Sequence, residues 1–112
     1  MLKMGKASRD KGYRGEHEVE GIFREYGIDA QRGLVFRGEP DIMVDGLHVE
    51  VKRCERIELP KWWKQSTEAA KKGEIPVVVF RKNHGEWMIT LRFTDFLQLR
   101  RTWKYEEDDD RK

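Results

Sequence analysis

Two acids and a lysine in residues 41–52 have the types and spacing of a site for phosphate chemistry. Asp41 lies before the pair Asp45-Gly46, and Glu50 and Lys52 lie after it. Asp-Gly between two alternating runs predicts a hairpin with a two-residue type I′ turn. Counting outward from that turn, Asp41 faces Glu50, with Cβ atoms roughly 4.5–5.5 Å apart. Like charges at that distance repel, so the pair must either shift a pKa or hold a cation.

The rest of this hairpin supplies other groups that phosphate chemistry requires. A period of two residues places Lys52 on the same face as Glu50 and turns Val49 and Val51 toward a core. Hydrolysis of a phosphodiester requires an activated water, a stabilised pentacoordinate phosphorus and a neutralised leaving oxygen. Mg²⁺ held by one or two carboxylates can serve all three needs, and the backbone carbonyl of Val51 is a further candidate ligand. A lysine suits a phosphate oxygen or the attacking water.

A third carboxylate comes from the first predicted helix. Residues 19, 22, 23 and 26 are apolar at helical spacing, and Gly27 suits the end of the helix. On the helical wheel Glu16 borders that apolar stripe, at the amino-terminal end of the helix. Glu16 therefore suits a third metal ligand, although an acid in the first turn also suits the helix dipole.

The elements that must position these residues follow the order α-β-β-β-α-β-β-α. We expect helices over 13–26 and 60–72 and from residue 94 or 95, with strands over 28–31, 41–44, 47–53, 75–81 and 87–91. Pro60 fits the first turn of the second helix, and the run Val77–Phe80 is typical of a buried strand. The pattern predicts an α/β sandwich with a mixed sheet, in which the second helix crosses over between central strands.

Length and composition limit the class of protein. The 112 residues suffice for one domain with a modest core, and 39% are charged against 38% apolar. No apolar run approaches the roughly 20 residues of a membrane span, and residues 1–14 lack the apolar region of a signal peptide. The single Cys54 cannot form an internal disulfide. We expect a flexible basic arm over 1–12, one domain over 13–103, a disordered acidic tail over 104–112, and a cytoplasmic setting.

Basic residues are concentrated near the start of the chain and in the loop after the first short strand. Such a distribution permits nucleic-acid binding without demonstrating it. The alternative for the first group is a solvated tail. The predicted phosphate contacts are Lys6, Arg9, Lys11, Arg14, Arg32 and Arg37.

These motifs together resemble a known group of nucleases. Pro40-Asp41 followed by Glu50-Val51-Lys52 is similar to the signature of the PD-(D/E)xK nuclease superfamily. The stretch 11–16, Lys-Gly-Tyr-Arg-Gly-Glu, opens a helix as in the archaeal-type Holliday-junction resolvases, which also occur in phages. Members often carry a serine in the loop after the first short strand, and residues 32–39 have none.

The resemblance implies a restriction-endonuclease-like αβββαβ core with a mixed central sheet. It implies cleavage of four-way DNA junctions that depends on Mg²⁺, with Mn²⁺ as a substitute, by a homodimer in a prokaryotic, archaeal or phage-infected cell. Glu16, Asp41 and Glu50 would be metal ligands, and Lys52 the catalytic lysine. Two alternatives stay open: a related nuclease acting on flaps, ends or foreign duplex DNA, and a non-catalytic DNA-binding module.

Four other positions are candidates for supporting roles or contacts. Trp62 and Trp63 are about 100° apart on a helix, so we expect one to be buried and the other to be available for a dimer or DNA contact. Gln65 lies near the start of the same helix and is a candidate DNA contact. His48 shares the face of Glu50, where we expect an exposed or supporting position rather than a catalytic one.

Overall fold

The computed structural model describes the backbone of residues 6–110 and the side chains of residues 13–102, and it has the predicted order of elements. A short 3₁₀ turn, Val35–Arg37, lies between β1 and β2. The helices are α1 (Lys6–Glu25), α2 (Leu59–Ala69) and α3 (Phe93–Asp110), and the strands are β1 (Gln31–Arg32), β2 (Ile42–Val44), β3 (Leu47–Cys54), β4 (Ile75–Lys82) and β5 (Met88–Thr90).

The five strands form one mixed sheet in the order β1-β2-β3-β4-β5. Only β3 and β4 are parallel, and every other neighbouring pair is antiparallel. The chain passes from β3 to β4 through α2, as a crossover between parallel strands requires. This confirms the predicted α/β fold of restriction-endonuclease type and makes β3 the middle strand of the sheet.

Each face of the sheet is covered by one helix. On the first face, Val49, Val51 and Val77 are buried together with Val19 of α1. On the second face, Val78 and Phe80 of β4 pack against Trp62 of α2, the ring centroids of Phe80 and Trp62 lying 5.9 Å apart. The alternation of buried residues along β3 and β4 therefore follows the predicted period of two. Trp62 is buried and Trp63 half-buried, as expected for adjacent helical positions.

The terminal helices are longer than the sequence predicted. α1 begins at Lys6, within the segment predicted to be an arm, and α3 continues to Asp110, within the predicted tail. The prediction relied on apolar spacing, whereas a helix that is already nucleated adds polar residues at one hydrogen bond each. Residues 1–5 and 111–112 lie outside the described residues. Within 6–110, no helix is long and apolar enough to cross a membrane.

The β2–β3 turn has the predicted register but not the predicted type. Val44 pairs with Leu47 and Ile42 with Val49. A type I′ turn needs positive φ at both central residues, and among described non-glycine residues only His84 has one. Negative φ at Asp45 with φ 81° at Gly46 is the sign pattern of a type II turn. The Gly46 carbonyl accepts a hydrogen bond from Ile75 N–H at 2.9 Å, which ties the turn to β4.

Candidate active site

The β2–β3 hairpin brings two acids together at the amino-terminal end of β2. Ile42 and Val49 are the outermost paired residues of the hairpin, and Asp41 and Glu50 are the next residues along each strand. The Asp41 Oδ2 atom accepts a hydrogen bond from Val51 N–H at 2.9 Å. Where the ladder stops, the Asp41 side chain thus takes the place of a strand neighbour. This bond fixes the Asp41 carboxylate beside Glu50.

The Val51 carbonyl projects toward the same space. In a strand, the N–H and C=O of one residue point to the same side, and Val51 N–H points to Asp41. On that side β2 begins only at Ile42 and does not extend far enough to lie opposite Val51. The strand therefore provides no donor for this carbonyl. The backbone therefore places a second type of oxygen near Asp41, and its role as a metal ligand stays a prediction.

Glu16 reaches this space from α1 and is held by an arginine of β1. The Arg32 guanidinium lies 2.9 Å from Glu16 Oε2 and 4.3 Å from the centre of the Tyr13 ring. The Asp41 carboxyl lies close enough to Glu16 and to Glu50 to raise the pKa of each. Asp41, Glu50 and Glu16 therefore form one group, which we call the carboxylate cluster.

A close backbone approach fixes the loop that leads into Asp41. Gly33 N–H donates a hydrogen bond to the Asp41 carbonyl at 3.0 Å. A Cβ atom at position 33 would collide with the Pro40 carbonyl oxygen, so the two backbone segments can approach this closely only with glycine there. Arg32 and Asp41, which lie on either side of this contact, are thereby kept near each other.

Burial and the proximity of other acids raise the pKa values of Glu16 and Glu50. Burial and, next, the neighbouring Asp41 carboxyl raise the pKa of Glu50 to about 8, while the charge of Lys52 opposes the rise. Burial and Asp41 also raise the pKa of Glu16 above its ordinary value, against the effect of Arg32. Hydrogen bonding to Asp41 contributes to both shifts. In the absence of a cation, the cluster therefore retains a proton near neutral pH.

The donor set fits a hard divalent cation. Carboxylate and carbonyl oxygens are the ligands that Mg²⁺ takes, and a cation would replace the proton that now separates the acids. Among the described residues, no three His, Cys, Asp or Glu side chains are placed to hold an ion as they stand. In this arrangement Asp41 bonds to Val51 N–H and Glu16 contacts Arg32. Lys52 lies close enough to Glu50 to lower its pKa.

Two further residues support the site. Glu20 of α1 was not predicted: it is buried and accepts a hydrogen bond from Arg32 N–H at 2.8 Å. On the wheel it lies 40° from Glu16, so a stripe at spacing of four residues was a signal for it. His48 is 2% exposed, and its Nε2 atom lies 2.8 Å from Glu50 Oε1. Of the two positions considered for His48, the exposed one was wrong.

The predicted DNA contacts divide into three groups. Arg32 lies in the site, where it contacts Glu16. Arg14, Arg37 and Gln65 are exposed, and no described contact joins them to the carboxylate cluster. The third group, Lys6, Arg9 and Lys11, belongs to α1, but these side chains lie outside the described residues.

Comparisons with known proteins agree with this geometry. A family model described as "Phage putative PDDEXK endonuclease" matches residues 39–108, a range that includes Asp41, Glu50 and Lys52 but not Glu16. Protein D14 of Escherichia phage T5 is 29% identical over 119 aligned residues, covering 79% of this chain and 72% of its own length. No solved structure gives a significant match.

Proposed function

Because the chain belongs to the phage PDDEXK endonuclease family, we propose that it is a Mg²⁺-dependent, structure-specific DNA endonuclease that cleaves four-way junctions. The chain is thus a nuclease of the PD-(D/E)xK type, and such nucleases typically use divalent metal ions. The observation that carries the proposal is the carboxylate cluster beside Lys52, in which burial and the neighbouring Asp41 carboxyl raise the pKa of Glu50 to about 8. Mg²⁺, or Mn²⁺ in its place, is the cation proposed for this cluster.

The proposed roles follow from the positions of the side chains. Glu16, Asp41, Glu50 and the Val51 carbonyl would hold the metal. When bound, Mg²⁺ polarises the phosphate, lowers the pKa of a bound water and neutralises the leaving oxygen. Lys52 donates a hydrogen bond to a phosphate oxygen or to the attacking water. Asp41, anchored by Val51 N–H, keeps its position while the other acids reorient.

The proposed substrate is a branched DNA. Support comes from the resolvase-like stretch 11–16 of α1 and from exposed basic residues, Arg14 and Arg37, on separate elements. Phosphate contacts spread over a surface recognise shape rather than sequence. Arg32, which now contacts Glu16, would pair with a DNA phosphate once a cation satisfies that carboxylate. The proposed setting is the cytoplasm of a prokaryotic or phage-infected cell.

We expect the protein to cut a mobile four-way junction into nicked duplexes with Mg²⁺ and to leave it intact with EDTA. The same strand sequences are assembled as a junction, a flap, a Y-fork and a linear duplex, and labelled products are resolved on denaturing gels. Cleavage of the junction should be at least about 10-fold faster than cleavage of the duplex, which corresponds to about 1.4 kcal/mol.

The competing functions give different patterns in this panel. Equal cutting of junction and duplex contradicts structure specificity and favours a nuclease acting on ends or foreign DNA. Preferential cutting of the flap or of the Y-fork identifies that DNA shape, rather than the junction, as the preferred substrate. Binding of DNA without cutting any substrate, over a range of Mg²⁺ and Mn²⁺ concentrations, favours a non-catalytic binding module.

We also propose that the protein acts as a homodimer. Support comes from an apolar surface on β5 and the start of α3, the last elements of the described chain. The large apolar residues exposed there are Met88, Ile89, Phe93, Phe96, Leu97 and Leu99. An apolar groove of about 530 Å³ adjoins this surface between Trp63 of α2 and Phe93. A second copy would cover this surface and supply a second cluster for the opposite strand of the junction.

We predict that Phe93→Asp weakens dimerisation. Phe93 is 73% exposed, and burying such a side chain contributes about 1.5–3 kcal/mol, so the dimer dissociation constant should rise about 10-fold to 100-fold. Analytical ultracentrifugation over a concentration series measures it. Phe36→Asp is the matched control, because Phe36 is 82% exposed in the loop before β2. A wild-type protein that sediments as a monomer contradicts the homodimer.

A further inference from the structure

His48 is a buried polar side chain in contact with the carboxylate cluster. It lies on β3, and its Nε2 atom is 2.8 Å from Glu50 Oε1. Its side chain is 2% exposed, whereas that of Glu50 is 20% exposed. A metal-bound Glu50 is ionised and can only accept, so in that state His48 Nε2–H donates to Oε1.

The other side of the imidazole faces a second acid, which the backbone holds in place. His48 Nδ1 lies 3.7 Å from Glu74 Oε1. Glu74 Oε1 accepts a hydrogen bond from Lys71 N–H at 2.7 Å, and Glu74 N–H donates to the Lys71 carbonyl at 3.0 Å. The next residue, Ile75, bonds to the β2–β3 turn. The ring therefore joins a rigid turn before β4 to Glu50.

Steric burial alone does not require a histidine at this position. Its partners on the neighbouring strands are Met43 and Pro76, and an apolar side chain beside them would fill the same space without needing a polar partner. The imidazole instead lies between Glu50 of β3 and Glu74 of the turn before β4. Among the described side chains, Arg32 and His48 hydrogen-bond to acids of the carboxylate cluster, and the proposed chemistry gives a role only to Arg32.

We propose that His48 is a positioning residue that holds Glu50 Oε1 and so leaves the other carboxylate oxygen, Oε2, to face the metal. The inference rests on the proposed function of the cluster. A fixed carboxylate binds a cation with less loss of rotational freedom than a free one, and hydrogen bonds to ligand groups typically change metal affinity about 10-fold to 100-fold. The role of His48 is therefore in metal affinity and not in proton transfer to DNA.

The test measures metal binding directly and without DNA. Mn²⁺ is titrated into wild type, His48→Leu, His48→Asn and His48→Gln, and free Mn²⁺ is followed by its electron paramagnetic resonance signal. Leu has no donor, and the Asn amide is too short to reach Glu50, so both variants should bind Mn²⁺ about 10-fold to 100-fold more weakly. The longer Gln amide places a nitrogen near the position of Nε2 and should restore affinity to within about 3-fold.

His84→Asn is the matched control, since it removes a histidine from an exposed turn and should bind Mn²⁺ like wild type. If His48→Leu does not fold, the comparison of His48→Asn with His48→Gln decides. Unchanged affinity in His48→Asn, or equal losses in the Asn and Gln variants, overturns the proposal. A wild type that binds Mn²⁺ but cuts no DNA contradicts the nuclease function alone, because the affinities still report on His48.

Discussion

Asp41→Asn is expected to reduce cleavage of every DNA substrate at least about 1,000-fold, a loss of about 4 kcal/mol of transition-state stabilisation. Asp41 is the acid that both Glu16 and Glu50 approach, so it contributes charge to the centre of the proposed metal site. Asparagine keeps the shape and can still accept the hydrogen bond from Val51 N–H. The fold should therefore persist while the affinity for the cation falls.

DNA binding separates this effect from general damage. Removing a negative charge from a surface that approaches phosphates should leave binding intact or slightly stronger. Cleavage time courses with Mg²⁺ and fluorescence anisotropy in EDTA measure the two properties. Asp45→Asn is the matched control, because Asp45 belongs to the same hairpin but lies exposed in its turn. Undiminished cutting by Asp41→Asn would contradict the assignment of the active site to the carboxylate cluster.

Glu50→Gln should stabilise the metal-free protein at alkaline pH even as it abolishes cleavage. The pKa of Glu50 is raised from its ordinary 4.5 to about 8 in the folded chain. Between these values the folded state binds a proton that the unfolded chain does not, so wild-type stability falls as pH rises through this window. Each unit of pKa difference corresponds to about 1.4 kcal/mol. Because neighbouring acids share the proton, we expect a gain on the order of 2 kcal/mol for the glutamine variant at pH 8.5.

Thermal unfolding in EDTA at pH 5 and pH 8.5 measures this difference. The gain should raise the melting temperature of Glu50→Gln by about 10 °C at pH 8.5 and leave it close to wild type at pH 5. Mg²⁺ should restore much of the lost stability to wild type and little to the variant. Glu55→Gln removes an exposed acid just after β3 and should follow wild type. Parallel pH curves for wild type and Glu50→Gln would contradict the raised pKa.

The local parts of the site were predictable from the sequence because short-range rules govern them. The pair Asp45-Gly46 and the alternation after it set the register of β2 and β3, and thus the neighbourhood of Asp41 and Glu50. Helical periodicity brought Glu16 to the edge of the buried face. These arguments hold because burying one face of a strand or helix leaves little freedom of register.

The parts that failed depend on contacts between distant residues. Nothing near Glu74 in the sequence indicates that it faces His48, because β3 and β4 are joined through α2. The ion pair of Arg32 with Glu16 was not predicted either, because it joins β1 to α1. The type of the Asp45-Gly46 turn was predicted from hairpin statistics, whereas the bond from Ile75 N–H to the Gly46 carbonyl depends on β4. Helix ends were missed because charged residues extend a helix without leaving an apolar pattern.

Because β3 lies in the middle of the sheet, we expect the active site to be completed only late in the synthesis of the chain. All the proposed catalytic residues have been synthesised by residue 52, but the parallel partner of β3 begins only at Ile75. Until β4 pairs, β3 lacks one neighbour, and Glu74, which faces His48, has no fixed position. At ribosomal rates of about 5–20 residues per second, this interval lasts a few seconds. We therefore expect nuclease activity only in chains in which β4 has paired with β3.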